Sequence, residues 1–213
     1  MSASNQLIQK ASACGVIPTL VIEDINSAIS LAQALRDGGL TVLEITLRTP
    51  VALQAIQHIR QALPDLFVGA GTVLDKRAAE AAHDAGAQFL VSPGYTTALG
   101  DYCRSKEIAL MPGVATASEI MAALAAGYDF LKCFPAAALG GTRWLDAIRG
   151  PFPDVRFCPT GGISAADAGS YLALPNVLCV GGSWVTPADA VRAKDWAKIT
   201  TLARQAYEAR NSH

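Results

Sequence analysis

Apolar positions in this chain gather into eight short runs, most ending on glycine or proline. They are VIPTLVI (16–22), TVLEITL (41–47), LFVGAGT (66–72), QFLVSPG (88–94), IALMPG (108–113), DFLKCFP (129–135), VRFCPTGG (155–162) and NVLCVGG (176–182). Runs of this length bounded by turn residues read as buried strands. Between them lie Ala/Leu-rich stretches with helical spacing. The stretch 24–37 opens on Asp24 and stops at Gly38-Gly39, a helix start and stop. The stretch 75–85 opens on Asp75 and ends at Gly86. The stretch 115–127 carries Thr116 and Glu119 in capping-box spacing and ends at Gly127.

Eight strand–helix units predict an α/β protein, a (β/α)8 TIM barrel with a short extra helix over about the first 13 residues. An open doubly wound sheet is the structural alternative, and eight near-regular units favour closure. No Pro/Ser-rich linker or low-complexity block divides the chain, so residues 1–213 read as one domain.

Composition narrows the functions. The 213 residues are 51% apolar and 16% charged, which suits a packed globular domain. A net charge of −1 gives no footprint for nucleic acid or an anionic membrane, so any anionic ligand must be held by local groups. MSASNQLIQKASACG lacks the long apolar core of a signal peptide, and no run approaches the ~20 residues of a membrane span. The five cysteines (14, 103, 133, 158 and 179) are odd in number, widely spaced and without CxxC. Reduced thiols in a cytoplasmic enzyme are expected.

In a barrel, chemistry sits at the C-terminal strand ends. Along the second run, Leu43, Ile45 and Leu47 share one face, leaving Glu44, Thr46 and Arg48 on the other, the barrel interior or its mouth. A carboxylate and a guanidinium there are costly unless paired or used. They read either as a structural ion pair or as a general base beside an anion clamp. In the sixth run Phe130, Lys132 and Phe134 share a face. Of six lysines, Lys132 alone is embedded in an apolar strand. Such a lysine snorkels, pairs with an acid, or is desolvated to give the neutral amine that attacks a carbonyl.

Other strand ends add Thr72 after Gly69 and Gly71, Ser92-Pro93-Gly94 and Met111-Pro112-Gly113; the Pro-Gly pairs alone are ordinary turns. After the last two strands come Thr160-Gly161-Gly162 and Gly181-Gly182-Ser183. They read either as Gly-rich turns or as a phosphate site built from backbone N–H groups. His58 and His83 fall in predicted helices and His213 is terminal. None offers an imidazole at a strand end, so neither a metal centre nor a histidine-based triad is supported.

VLEITLRTP, GAGTVL, VSPG, MPGVAT, FLKCFPA, VRFCPTGGIS and VLCVGGSW, in order between residues 42 and 184, closely resemble the 2-keto-3-deoxy-6-phosphogluconate (KDPG) and 4-hydroxy-2-oxoglutarate (KHG) aldolases. The resemblance spans nearly the whole chain. It implies a class I aldolase of the Entner–Doudoroff pathway, with no metal or cofactor beyond a covalent imine, and a homotrimer. It places the Schiff-base lysine at Lys132 and the catalytic glutamate at Glu44. Contacts to the pyruvate carboxylate fall on Arg48 and Thr72, and the pyruvate pocket on Pro93 and Phe134. Thr160 falls on a contact to the sugar-acid hydroxyls. Gly161, Gly162, Gly181, Gly182 and Ser183 fall on the phosphate-binding region. The implied substrates are KDPG, giving pyruvate and D-glyceraldehyde 3-phosphate, and KHG, giving pyruvate and glyoxylate. Rival readings are a phosphosugar isomerase or epimerase on the same barrel and a non-catalytic phosphate-metabolite binder; neither needs an amine in the sixth strand.

Overall fold

The computed structural model describes residues 2–209; Met1, and the residues from Arg210 to His213, lie outside them. The strands are β1 (Val16–Leu20), β2 (Val42–Thr46), β3 (Phe67–Gly71), β4 (Phe89–Val91), β5 (Leu110–Met111), β6 (Gly113–Val114), β7 (Phe130–Cys133), β8 (Arg156–Pro159) and β9 (Val180–Gly182). The helices are α1 (Ala3–Cys14), α2 (Ala28–Asp37), α3 (Ala52–Ala62), α4 (Lys76–Asp84), α5 (Thr97–Ser105), α6 (Ala117–Ala125), α7 (Thr142–Arg149), α8 (Ala168–Leu172), α9 (Ala188–Arg192) and α10 (Trp196–Ala209).

Every pairing among the strands is parallel. Six of them form one sheet in the order β5-β4-β3-β2-β1-β9, curved as half of a barrel, and β6-β7-β8 form a second. The fifth predicted run thus becomes two strands, because Pro112 has no N–H to extend the ladder. Its carbonyl still accepts from the Lys132 N–H at 2.9 Å. The residues before it pair with β4, and those after it pair with β7. At the other end, single bridges join Phe157 to Val177 and Thr160 to Gly181. The eighth predicted run is strand only over its last three residues. Upstream, the Asn176 amide donates to the Leu145 carbonyl (2.8 Å), tying that segment to α7 instead.

Strands buried on both faces are mostly apolar, as β3 shows, whereas β2 also buries Glu44 and Thr46. The helices bury one stripe each; α3 buries Ala52, Ala55, Ile56 and Ile59, spaced for a single face. Helix starts follow the sequence signals. Asp75 accepts from the Ala78 N–H (2.8 Å), and Thr116 with Glu119 closes a full capping box. The helix expected from Asp24 begins later, at Ala28. The Asp24 carboxylate takes the Asn26 N–H and the Ser27 hydroxyl, tightening Ile25–Ser27 into a 3-10 turn. The predicted N-terminal helix is α1. Its Lys10 ammonium stands 5.6 Å from the Phe67 ring, at the start of β3 and so opposite the strand ends that carry the polar residues.

Candidate active site

Glu44 sits mid-strand on β2, in register with Thr19 of β1 and Gly69 of β3. Lys132 sits on β7, in register with Gly113 of β6 and Cys158 of β8. Their side chains meet. Lys132 Nζ donates to Glu44 Oε1 at 3.2 Å, with the two side chains 7% and 1% exposed. Lys132 Nζ also stands over the Phe134 ring, 5.5 Å from its centroid. Phe134 in turn lies against Gly161, where an added Cβ would come 3.2 Å from the ring. One aromatic side chain therefore links the amine to the first glycine pair.

Space for the Glu44 carboxyl comes from Gly71 at the end of β3, where a Cβ would collide with Glu44 Oε1. Gly181 serves Thr160 in the same way: a Cβ there would strike Thr160 Oγ1. Gly71→Ala should therefore displace Glu44 rather than merely crowd the core. The expected cost is ~1–3 kcal/mol of stability from overpacking, with a fall in kcat larger than that loss of folded protein explains. Chemical denaturation and steady-state kinetics on one preparation check this; wild-type turnover in the alanine variant would refute it.

The remaining predicted residues fall as follows. Arg48 lies just past β2, which ends at Thr46, so of the two places that alternation allowed it, interior or mouth, it takes the one at the strand end. It is exposed, yet turned back toward the strand, with Nε donating to Thr46 Oγ1 at 3.2 Å. No carboxylate of the described residues pairs with its guanidinium. Thr72, directly after Gly71, is held at φ +60°. A β-branched residue in that region carries strain of ~1–3 kcal/mol, a state that persists where the surroundings impose it. Pro93 follows β4, and its carbonyl lies where a Cβ on Gly113, the register partner of Lys132, would collide. Thr160 is buried, with its hydroxyl 3.4 Å from the Cys158 carbonyl. Gly161 and Gly162 take φ +99° and +77°, a turn that side chains resist. Ser164, just beyond, already gives its N–H to Asp167 Oδ1 (2.6 Å), and α8 starts only at Ala168. Gly182 ends β9 and Ser183 is exposed just past it.

Ser183 lines a cleft of about 530 Å³ together with Thr19, Leu20, Ile22, Thr186 and Lys194. Lys132 and Glu44 do not line it. Thr19, the register partner of Glu44, does line it. Burial pushes the Cys133 thiol up to about 12, and burial with the adjoining Cys158 holds Cys179 well above the usual thiol range. Two polar residues had no assigned part in the sequence reading: Thr46, although it fell in phase with Glu44, and Ser92, whose hydroxyl donates to the Gly94 carbonyl (2.7 Å) and fixes the turn carrying Pro93.

A buried amine against a carboxylate, with an unpaired guanidinium near, suits imine chemistry on a small keto acid. The family profile described as KDPG and KHG aldolase matches residues 7–202. The chain belongs to this aldolase family. A 2-dehydro-3-deoxy-phosphogluconate aldolase of Pseudoalteromonas atlantica is 51% identical over 191 residues, 90% of this chain and 89% of that one. A crystal structure of KDPG aldolase from Legionella pneumophila, with pyruvate captured at low pH as a covalent carbinolamine intermediate, superposes with a TM-score of 0.91. It is 47% identical and covers 92% of this chain and 96% of its own. The KDPG aldolase of Zymomonas mobilis ZM4 with 3-phosphoglycerate also gives 0.91, at 48% identity and 95% coverage of both chains.

Proposed function

We propose that this chain is a class I aldolase that reversibly cleaves KDPG to pyruvate and D-glyceraldehyde 3-phosphate, and KHG to pyruvate and glyoxylate. The observation that carries the reading is the buried Lys132 Nζ 3.2 Å from Glu44 Oε1. The pyruvate-bound relative from Legionella supports the covalent route. The amine of Lys132 adds to the C2 ketone, and loss of water from the carbinolamine gives an iminium, which is the electron sink. Glu44, directly or through a water, takes the C4 hydroxyl proton. The C3–C4 bond breaks and its electrons pass into the iminium, leaving the enamine of pyruvate as the aldehyde departs. A proton returned to C3 and hydrolysis of the imine release pyruvate and the free amine. The imine is the only covalent device this route needs, with no metal or other cofactor.

Arg48 and Thr72 are assigned to the substrate carboxylate, Pro93 and Phe134 to the walls of the pyruvate pocket, and Thr160 to the substrate hydroxyls. The phosphate is assigned to Gly161, Gly162, Gly181, Gly182 and Ser183. The cleft that Ser183 lines, one residue from Glu44, supports a substrate running from Lys132 outward. The same reading closes the two sheets into one eight-stranded barrel. The single bridges from Phe157 to Val177 and from Thr160 to Gly181, and the shared strand interrupted at Pro112, support closure. It also includes a homotrimer in the cytoplasm. Met121 and Leu124, exposed one turn apart on α6, offer apolar surface for assembly, and no disulfide joins any two of the five cysteines.

Borohydride added with pyruvate should fix a three-carbon adduct on Lys132, read by peptide mass mapping. A label elsewhere, or none, sinks the mechanism. Relative kcat/KM on KDPG, its galactonate epimer and KHG then ranks the substrates. Arg48→Lys should raise the KM for the keto acid by roughly tenfold, because an ammonium cannot reproduce the guanidinium fork. An unchanged KM would take the carboxylate away from Arg48.

A further inference from the structure

Two threonines flank Arg48, and both spend their hydroxyl protons on the end of β1. Thr46 Oγ1 donates to the Leu20 carbonyl at 2.8 Å, and Thr49 Oγ1 donates to the Ile22 carbonyl at 2.6 Å. The turn that carries Arg48 is thus latched at both sides to the neighbouring strand. A hydroxyl has one proton and two lone pairs. With its proton committed to Leu20, the buried Thr46 oxygen can only accept. What it accepts is the Arg48 Nε–H, at 3.2 Å.

We propose that Thr46 is a positioning residue that holds the Arg48 guanidinium by its Nε and leaves the two terminal nitrogens as the fork that receives the substrate carboxylate. The inference rests on the aldolase reading and adds to it a residue and an orientation. Leu20 fixes the hydroxyl, the hydroxyl fixes Nε, and Nε fixes the plane of the guanidinium. An exposed arginine would otherwise lose much rotamer freedom on binding a carboxylate. Thr46 supplies that order before substrate arrives. The carboxylate is then gripped end-on through the terminal nitrogens, because the side-on fork would need the nitrogen that Thr46 already holds.

Thr46→Val keeps the shape and removes the hydroxyl. The pyruvate concentration that half-saturates borohydride trapping at Lys132 should rise about tenfold, in line with loss of a hydrogen bond to a charged group. Thr46→Ser, which retains the hydroxyl, should stay within about twofold of wild type. The preference for pyruvate over pyruvamide, which lacks the carboxylate charge, should shrink in Thr46→Val alone. The effect should also vanish without its target: in Arg48→Met, adding Thr46→Val should change nothing further. Thermal unfolding is followed in parallel, and Thr46→Ala replaces Thr46→Val if the latter does not fold. A merely structural Thr46 would lower the melting temperature without altering the carboxylate preference, and that result overturns the proposal. So does a double variant in which the two losses multiply. Absence of any wild-type adduct would instead overturn the Schiff-base reading, so the two failures are distinguishable.

Discussion

Lys132→Met is expected to lower aldol cleavage by roughly 10⁴–10⁶-fold, the scale seen when a covalent nucleophile is removed. Methionine keeps the length and apolar stem of the side chain, so the strand still packs. It leaves the Glu44 carboxyl, 1% exposed, without its partner. Removing one member of a buried pair costs ~3–5 kcal/mol when the other stays charged, so the variant should melt earlier than wild type. Lys132→Arg separates the two roles. Arginine restores a cation opposite Glu44, but its guanidinium does not deprotonate in proteins and forms no imine. The arginine variant should therefore recover melting temperature and none of the activity. A lactate dehydrogenase coupled assay reads pyruvate release, and differential scanning calorimetry reads stability. Activity retained in the arginine variant alone would mean that Lys132 acts through its charge, and activity retained in the methionine variant that the amine is not needed; either result would sink the covalent route.

Much of this site was legible in the chain alone, and the reasons are local. A single lysine inside an apolar strand announces itself by composition, as Lys132 does. Period-two alternation put Glu44 on the inner face of β2, where it lies. The capping box at Thr116 and Glu119 and the cap at Asp75 fixed helix starts through contacts three residues long. What stayed hidden depends on long-range or directional detail. The Lys132–Glu44 contact joins residues 88 apart in sequence, on β7 and β2, which belong to different sheets. Alternation ran β2 on to Arg48, because nothing local marks Thr46 as the last strand residue. The split at Pro112 was written in the sequence as a missing N–H, yet its effect depends on which strand sits on each side. The polarity of the Thr46 hydroxyl could not be read at all, since its proton goes to a carbonyl on another strand. Asp167 was likewise invisible as the residue that takes the Ser164 N–H beyond the first glycine pair.

Glu44→Gln is expected to leave imine formation intact while cutting cleavage by ~10²–10⁴-fold, the usual share of a positioned acid–base group. The amide matches the carboxylate in shape, so the collision that keeps Gly71 bare changes little, and its carbonyl oxygen still accepts from the Lys132 amine. What disappears is the capacity to take and return a proton. That capacity is needed twice: once at the C4 hydroxyl as the carbon bond breaks, and once at C3 of the enamine. Two measurements separate these needs from simple binding. Borohydride trapping with pyruvate should still label Lys132 to near wild-type extent. Exchange of the pyruvate methyl protons with deuterated water, followed by NMR, should slow in step with cleavage, because enamine formation and reprotonation use the same oxygen. If exchange stays fast while cleavage falls, Glu44 serves only the hydroxyl proton and a water or another group handles C3. If cleavage itself is unchanged, the 3.2 Å contact is a structural ion pair and the base must be sought elsewhere at the barrel mouth. The carboxylate that best explains how Lys132 is held would then have no part in how it reacts.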